Sequence, residues 1–585
     1  MYGLPIQDFR MDLSLAVLRC LGLGLISAAH AQESVVMARS GDIAEGLSGS
    51  LFEIDSCYLT DSGDAYIHST LRENGAYQSN GLFKANGNRD RISALLLSGD
   101  PTPDSNGRIG GVTNDAYLAN GRGDLAALVP LTETLGGSSD NGALYFISEP
   151  DQILHQVSRK GEVIDNGHGG SLTRSPLNFA LNHEGQLAYA AAIVDGSAGF
   201  FGNAVYLYNN SVEAEVFRSG WRTPEDDGSF QNLSVVNDLQ LNQRGEMLLN
   251  VGVLPDDPNG SRAGIFLANQ AGITTVAREN QSVPNGNGTL NALNVVVPSL
   301  GNSGHVAFWA QLRNTNAGTS DGAAIFRSEG TGLIEIARRG DLLPDGNGRF
   351  LNLSTTVDVN GEGEVAFQSG ISGASGGSVD GIFVGDGSSI RVISRVGDPA
   401  PGGGSMGGFF ENSVGINDVG QICFLAVLKL EDPSAPAGTL GLFLHDPSLG
   451  LMEIAREQQS LEGFGKITQL LPNLRFSMPG TLNSKGQVIY RAFVEGDAVV
   501  VRWSPPSGAG PLTLPQPEIM KSESEVTLSW PRTDITLNLE STSDPGLRSS
   551  WRVRSDVVPA LNGDIYQVTV PADKAREFFR LRRSR

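Results

Sequence analysis

The stretch VNGEGEVAFQSGI, residues 359–371, decides the fold, because the same order of residues recurs along the chain. It is repeated as LNHEGQLAYAAAI (181–193), INDVGQICFLAVL (416–428) and LNSKGQVIYRAFV (482–494). Aligned on the glycine, eight copies lie about sixty residues apart, at Gly63, Gly123, Gly185, Gly245, Gly304, Gly363, Gly420 and Gly486. A period of this length is typical of a solenoid, a propeller or another repeat array.

The polar start of each copy predicts a tight turn between two strands. Six copies carry Asn three residues before the glycine, and Thr60 and Gly301 take that place in the other two. An Asn side chain can accept a hydrogen bond from the backbone two residues on, and glycine readily adopts the left-handed conformation at the fourth position. In the run that follows, Val365 and Phe367 point to one face and Ala366 to the other, so both faces of the strand are apolar. We expect a sheet packed between two neighbouring sheets.

Each copy supplies four short strands and therefore one antiparallel unit. A strand such as GIFV (381–384) follows the glycine, then a strand that ends in Arg, and then a Gly-containing loop into the next unit. A lone fourth-strand sequence, VVMARSGD (35–42), stands before the first copy, at the expected start of the mature chain, and the last copy lacks a fourth strand. The first strand can complete the last unit, which removes the open sheet edges. The sequence predicts an all-β fold: an eight-bladed β-propeller of four-stranded antiparallel blades over residues 35–505, closed by the N-terminal strand.

The repeated motif N-x-x-G-x-x-A-F resembles that of a bacterial tandem-repeat family named for it, the choice-of-anchor type. Members of that family are exported and often carry C-terminal sorting anchors. The resemblance covers all eight repeats and implies export, but it implies no reaction. This chain departs from many members, because its end, FFRLRRSR, offers no such anchor.

The two ends of the chain lie outside the repeats. Residues 1–31 read as a signal peptide with an apolar run and the small-residue site Ala29-His30-Ala31, so we expect cleavage after Ala31 and a periplasmic or extracellular protein. Residues 506–517 form a Pro- and Gly-rich linker, and residues 518–585 carry short strands with Trp530, Trp551 and Phe579 as candidate core. The tail predicts a small β-sandwich that resembles immunoglobulin-like or fibronectin-like modules.

Composition excludes several classes of partner and chemistry. The formal charge of −22 argues against a nucleic-acid partner, which needs a basic face. The apolar run of the signal peptide is too short to span a membrane, no second apolar segment appears, and we expect a monomer. We find no nucleophile elbow, phosphate loop or dinucleotide motif, and no zinc-type pair of histidines, so no cofactor is expected. The acidic glycine loops PDSNG (103–107), PEDDG (224–228), PDDPNG (255–260) and PDGNG (344–348) leave calcium as a weak alternative to ordinary turns.

Two features could bind a ligand. The arginines that end the fourth strands could bind an acidic polysaccharide. Because they recur in nearly every blade, a structural role is favoured instead, in which each arginine ties a strand end to the next blade. The expected partners are Asp42, Asp100, Asp341 and Asp398. These arginines are Arg39, Arg159, Arg218, Arg278, Arg338, Arg395 and Arg456, with Leu97 in the eighth place.

The second feature is Trp221, which stands in RSGWRTPEDD (218–227) where other blades carry an acid. It could stack on a sugar or cover a local apolar patch. We select Trp221, Arg222, Asp226 and Asp227 as candidate ligand-binding residues, on the face formed by the B–C and D–A loops, where loop length varies most.

Three functions remain open. The first is an exported, non-enzymatic propeller that binds a glycan or a cell-surface or matrix component. The second is a carbohydrate-active enzyme, a lyase or hydrolase with acids or arginines near the propeller axis. The third is a purely structural envelope protein. The first is favoured because we find no catalytic motif in addition to the repeated structural motif, and because propeller scaffolds host many functions.

Overall fold

The computed structural model describes residues 33–506 and 518–583, apart from several short segments. These are 114–115, 150–151, 166–170, 196–200, 234–238, 294–295, 331, 375–376, 431–437, 472–480, 522–524, 532–536, 543–551, 555–556, 558, 563–564 and 572–577. The predicted signal peptide, most of the predicted linker and Trp551 lie outside the described residues. Two compact units divide the chain, residues 1–509 and 510–585.

The first unit is the predicted eight-bladed propeller. Each blade has four antiparallel strands, A to D, and strand A is innermost. The A strands, some in two pieces, are Ser50–Leu59; Arg108–Ile109 and Tyr117–Ala119; Ser171–Leu181; Gly228–Leu233 and Gln240–Leu241; Thr289–Asn291 and Ser299–Leu300; Arg349–Val359; Ser405–Phe409 and Gly415–Ile416; and Gly465–Leu471. The B strands are Ala65–Glu73, Leu125–Thr132, Leu187–Asp195, Met247–Pro255, Val306–Arg313, Val365–Ala374, Ile422–Lys429 and Val488–Val494.

Strands C and D complete each blade. The C strands are Ala76–Ala85, Gly142–Ile147, Phe201–Asn209, Ala263–Asn269, Ala323–Glu329, Gly377–Gly385, Leu440–Asp446 and Asp497–Ser504. The D strands are Ile92–Leu97, Leu154–Arg159, Val212–Arg218, Gly272–Arg278, Gly332–Arg338, Ile390–Arg395, Gly450–Arg456 and, for blade 8, the N-terminal Glu33–Arg39. Two short strands, Glu162–Asp165 and Ser460–Leu461, pair with the A strands of blades 3 and 8. Two 3-10 turns, Gly137–Ser139 and Gly318–Ser320, lie between strands B and C.

The N-x-x-G motif is the A–B turn, as predicted. All eight motif glycines have φ between 72° and 100°, which is the left-handed region. The Asn360 Oδ1 atom accepts hydrogen bonds from the backbone N–H groups of Glu362 at 3.0 Å and Glu364 at 2.9 Å. The local chemistry of the motif therefore sets the turn.

The asparagine amide also joins neighbouring blades, which the sequence did not indicate. Nδ2 of Asn182 donates to the carbonyl of Asn242 at 2.8 Å, which holds the equivalent place in the next blade. The same bond runs from Asn120 to Asn182, from Asn360 to Asn417 and from Asn417 to Asn483. It closes the circle where Asn483 donates to the carbonyl of Thr60 at 3.0 Å.

The N-terminal strand closes the propeller, as predicted. Glu33–Arg39 pairs antiparallel with the C strand of blade 8, from Glu33 opposite Ser504 to Arg39 opposite Val499. Val36, Met37 and Ala38 are buried there, at 3%, 0% and 0% exposure.

The core lies between blades. Val365 and Phe367 pack in the cluster shared with blade 5, whereas Ala366 belongs to the cluster shared with blade 7. Cys423 is a buried free thiol in the core between blades 7 and 8. Both faces of the B strands are therefore buried.

The tail unit has two sheets. One orders its strands as Glu518–Lys521, Glu525–Pro531, Ile565–Pro571 and Ala560–Asn562, and the other as Arg552–Val553, Leu537–Thr542 and Phe578–Arg583. Trp530 is buried with Leu539 from the second sheet, and Phe579 packs against this cluster. The immunoglobulin-like or fibronectin-like assignment stays a prediction. Among the described residues of the whole chain, no helix is long and apolar enough to cross a membrane.

Candidate functional site

The predicted binding face is built from loops that share one geometry. We call the D–A loop that leads into a blade its entry loop. In blade 4 the entry loop is closed by a hydrogen bond from Thr223 N to Gly228 O at 3.1 Å. The equivalent bonds start from Thr102, Val283, Leu343 and Ala400 in blades 2, 5, 6 and 7. Several of these loops contain the acidic glycine sequences noted above.

The repeated arginines hold these entry loops in place. Arg159, at the end of strand D of blade 2, contacts Asp104 at 2.6 Å and the carbonyl of Asn106 at 2.6 Å. Arg278 contacts Glu225 at 2.8 Å, and Arg395 contacts Asp345 at 2.7 Å. The side chains of these three arginines are only 8%, 10% and 12% exposed. Their role is structural.

Two details of the predicted role differ from the structure. Each of these arginines reaches the entry loop of its own blade, not the next blade, because strand D ends beside the loop that leads into strand A. The acids that follow bind backbone: Asp42 accepts from Arg39 N at 2.9 Å, Asp100 from Leu97 N at 2.8 Å and Asp398 from Arg395 N at 2.7 Å. The carboxylates thus cap the strand end, while the guanidinium groups find partners elsewhere.

The entry loops also bond to the B–C loops of the same blades. Asn106 donates to Asp140 at 3.0 Å, and Asn287 donates to Asp321 at 2.9 Å. The two sets of loops therefore form one connected face, as predicted. Because Asp104, Asp227 and Asp345 already face guanidinium groups, the structure gives calcium no support at these loops. Among the described residues, no group of three candidate ligands could hold a metal ion.

Each entry loop places one residue on the free edge of strand A, which faces the propeller axis. Single bridges join Ile43 to Ser50, Leu342 to Arg349 and Arg222 to Ser229. Pro101, Pro399 and Ser282 are bridged in the same way, and Val163 lies on the short strand that extends blade 3. The apolar members of this set lie in blades 1, 2, 3, 6 and 7. The inner rim is thus polar at blades 4 and 5, beside Trp221, and also at blade 8, where Ser460 pairs with Lys466.

Trp221 stands on a firmly anchored loop. Its carbonyl accepts from Phe230 N at 2.9 Å, and the preceding Gly220 N donates to Phe230 O at 2.8 Å. The Phe230 ring is buried between Phe217 and Phe266, with centroids 5.2 and 5.0 Å apart. Trp221 as a residue is 40% exposed. The fold therefore presents an aromatic surface on a fixed backbone.

Beside Trp221, an arginine is clamped by two carboxylates. Arg222 Nε lies 2.7 Å from Asp226, and its two terminal nitrogens lie 3.0 and 2.6 Å from Asp256. The hydrogen bonds that Arg222 donates to Asp256 and Asp226 raise the pKa of Arg222, and the same contact lowers the pKa of Asp256. Asp256 lies in the B–C loop 34 residues from Arg222, so sequence spacing could not indicate it.

The predicted site residues fall into two groups. Trp221, Arg222 and Asp226 lie together at the surface, and Asp226 takes a left-handed conformation with φ 55°. Asp227 faces the largely buried Arg278 at 3.3 Å instead. Burial alone would raise the pKa of Asp227, but hydrogen bonds from Thr223 and the charge of Arg278 lower it overall. Asp227 therefore belongs to the structural support of the loop.

On the opposite face, the glycine carbonyls of the A–B turns are bonded to neighbouring blades. Tyr66 Oη donates to the carbonyl of Gly123 at 2.6 Å, and Arg502 donates to that of Gly63 at 2.8 Å. These two carbonyls of the A–B face already accept hydrogen bonds within the protein, so they are not free to bind a ligand.

Comparison with known proteins finds propellers at low similarity. The polysaccharide lyase Uly1 is 10% identical, with 81% of this chain and 99% of that chain covered and a TM-score of 0.33. The β-propeller domain of the Trilobed protease from Pyrococcus furiosus is 10% identical, covers 69% and 97%, and has a TM-score of 0.32. The α-L-arabinanase of Penicillium chrysogenum is 14% identical, covers 57% and 94%, and has a TM-score of 0.25.

Similarity at this level assigns no chemistry to the chain. Among curated proteins, none matches it. A family model does match, over residues 23–205, 179–381 and 372–503. These segments cover all eight blades, and the chain therefore belongs to the family described as a family of unknown function, DUF7453.

Proposed function

We propose that the protein is an exported, non-catalytic propeller that binds a glycan through the face formed by the entry loops and B–C loops. The observation that carries this proposal is Trp221. A flat indole with its backbone already fixed can cover the apolar side of a sugar ring, and little conformational entropy is lost on binding. The adjacent Arg222–Asp226–Asp256 group offers carboxylate oxygens as acceptors for hydroxyl groups and one remaining N–H of Arg222 as a donor.

The pKa values of the carboxyl groups near Trp221 favour binding over catalysis. A general acid or base at neutral pH needs a carboxyl group whose pKa is raised toward the working pH. Around Trp221 the pKa values of the carboxyl groups are lowered instead. The hydrogen bonds from Arg222 lower the pKa of Asp256, and, against the opposing effect of burial, the hydrogen bond from Thr223 together with the charge of Arg278 lowers that of Asp227. Both carboxylates are suited to remain ionised and to hold the loops.

The face is also suited to binding because it can change without loss of the fold. The invariant parts of each blade are the A–B turn on one side and the buried core between blades. The entry loops differ mainly at their exposed tips. The position of Asp226 in blade 4 is occupied by Gly286 in blade 5 and by Gly346 in blade 6, with φ of 72° and 73°. Changes at such tips alter recognition more than stability.

A glycan array tests the proposal directly. The labelled protein should bind one or more glycans, and Trp221→Ala should weaken that binding about tenfold or more, since a central aromatic anchor is commonly worth over 1.4 kcal/mol. Leu449→Ala is a matched control, because Leu449 is equally exposed, at 40%, in a C–D turn on the opposite face. Equal loss in both variants, or turnover of a bound glycan, would contradict the proposal.

Export is tested separately. Exported material should begin near Gln32, as read by N-terminal sequencing, because cleavage after Ala31 follows from the predicted signal peptide. An intact amino terminus on exported protein would overturn this part of the proposal.

A further inference from the structure

Resting on the proposed function, we infer that the glycan bound at Trp221 carries no carboxylate or sulfate groups: it is a neutral or amino-bearing glycan. The inference comes from the partners of the arginines on this face, because their guanidinium groups already bind carboxylates and carbonyls of the protein. A site for an acidic polysaccharide needs guanidinium or ammonium groups with free donors.

Three of the repeated arginines that hold entry loops are buried and have few donors to offer a ligand from solution. Arg159, Arg278 and Arg338 have side chains that are 8%, 10% and 4% exposed. Arg338 donates to the carbonyls of Asn287 and Asp321 and to the carboxylate of Glu335. These arginines bind the protein's own loops, and Arg456 likewise donates to the carbonyl of Pro401. The more exposed Arg39, at 42%, contacts Asp497 in blade 8, across the propeller from Trp221.

The one arginine beside Trp221 is also engaged. A guanidinium has five N–H donors. Arg222 uses one on the Asp226 carboxylate, two on Asp256 and one on the Asp226 carbonyl at 2.6 Å. To bind an anion through two parallel hydrogen bonds, Arg222 would have to release Asp256.

The local charge adds to this effect. The entry loop and B–C loop of blade 4 carry five acids, Glu225, Asp226, Asp227, Asp256 and Asp257, against Arg222 and Arg262 in the same loops and Arg278 beneath them. Five negative and three positive charges leave a net charge of −2 around Trp221. Within a Debye length of about 8 Å at physiological salt, this field repels an anionic sugar and attracts an ammonium group.

The test is an array that carries neutral oligosaccharides (N-acetylglucosamine), amino oligosaccharides (glucosamine) and anionic ones (glucuronate and sulfated sugars). The protein should bind neutral or amino members at least about tenfold more tightly than anionic ones. Asp256→Asn should raise the affinity for glucuronate oligosaccharides about tenfold, because it replaces one of the two acceptor oxygens, which frees one donor of Arg222, and removes one negative charge. Glu462→Gln is the matched control: it removes one exposed negative charge in blade 8, across the axis, and should change little.

The outcomes separate the two proposals. Tightest binding of an anionic glycan, lost in Trp221→Ala, would overturn this inference and leave the proposed function standing. Binding of none of the array's glycans would overturn both. If Asp256→Asn gains no affinity for glucuronate while the thermal transition is unchanged, the assigned role of the arginine clamp is wrong.

Discussion

Deleting the strand Glu33–Arg39 should open the ring, because this strand is the outer strand of the last blade. The deletion exposes the C strand of blade 8 along the ladder from Val499 to Ser504. It also removes the buried side chains of Val36 and Met37, at 3% and 0% exposure. Full burial of a Val or Met side chain is worth about 1.5–3 kcal/mol, so the two contribute about 3–6 kcal/mol before any ladder hydrogen bonds are counted. Net stabilities of folded domains are about 5–15 kcal/mol, so the loss should be large.

Single substitutions give a graded version of the same experiment. Met37→Ala should lower the free energy of unfolding by about 2–5 kcal/mol, the usual cost of truncating a buried side chain. Glu33→Ala, at the exposed start of the same strand, should stay within about 0.5 kcal/mol of wild type. Urea unfolding followed by tryptophan fluorescence measures both, since Trp503 is buried in blade 8.

Moving the strand tests the closure itself. A permuted chain that carries residues 33–39 after Ser504, through a short turn, keeps the same strand pairing with a local connection. It should recover most of the stability that the deletion loses. The reasoning is refuted if the deletion variant unfolds at the same urea concentration as wild type.

Three other changes test separate parts of the fold. Asn483→Ala should lower the free energy of unfolding by about 1–3 kcal/mol, because it removes both the turn bond and the bond to blade 1; Lys485→Ala in the same turn should change it little, and equal effects would contradict the role of the amide. Gly363→Ala should destabilise the protein more than Gly346→Ala: both have φ near +75°, but only at Gly363 would the new methyl group clash with a guanidinium of the preceding blade. Burial raises the pKa of Asp358 to about 7, above its usual value of about 3.9 in an unfolded chain. Its contribution to the free energy of unfolding should therefore fall as pH rises from about 4 to about 7. The difference between Asp358→Asn and wild type should shift in favour of the variant over that range, and a difference that does not change with pH would contradict the assignment.

Much of the fold could be predicted because its signals are local. The turn bond from Glu364 N to Asn360 Oδ1 spans four residues, and the left-handed glycine follows from its missing side chain. The alternation of Val365, Ala366 and Phe367 placed both faces of the strand in a core. The unpaired fourth-strand sequence at residues 35–42 predicted the closure, since a propeller leaves no open edge.

The candidate site was predictable only in part. Trp221 stood out because it breaks the repeat, and the structure places it at the surface beside Arg222 and Asp226. Asp256, which clamps Arg222, lies in another loop. Asp227 was selected with its neighbour, but adjacent residues point in different directions, and its side chain turns inward to Arg278.

By itself, the sequence determined the period, the number of blades, the turn and the strand that closes the ring, because each depends on residues within a few positions or on a pattern repeated eight times. The tertiary structure alone decided which groups remain free for a ligand. The amide of Asn483 meets the carbonyl of Thr60 across 423 residues, and Arg278 meets Glu225 across 53. Such pairs depend on how blades and loops pack in space, and residue identity does not fix that geometry. Arg159, Arg278 and Arg338, which could have bound an acidic polysaccharide, are therefore engaged within the fold, and Trp221 is left exposed.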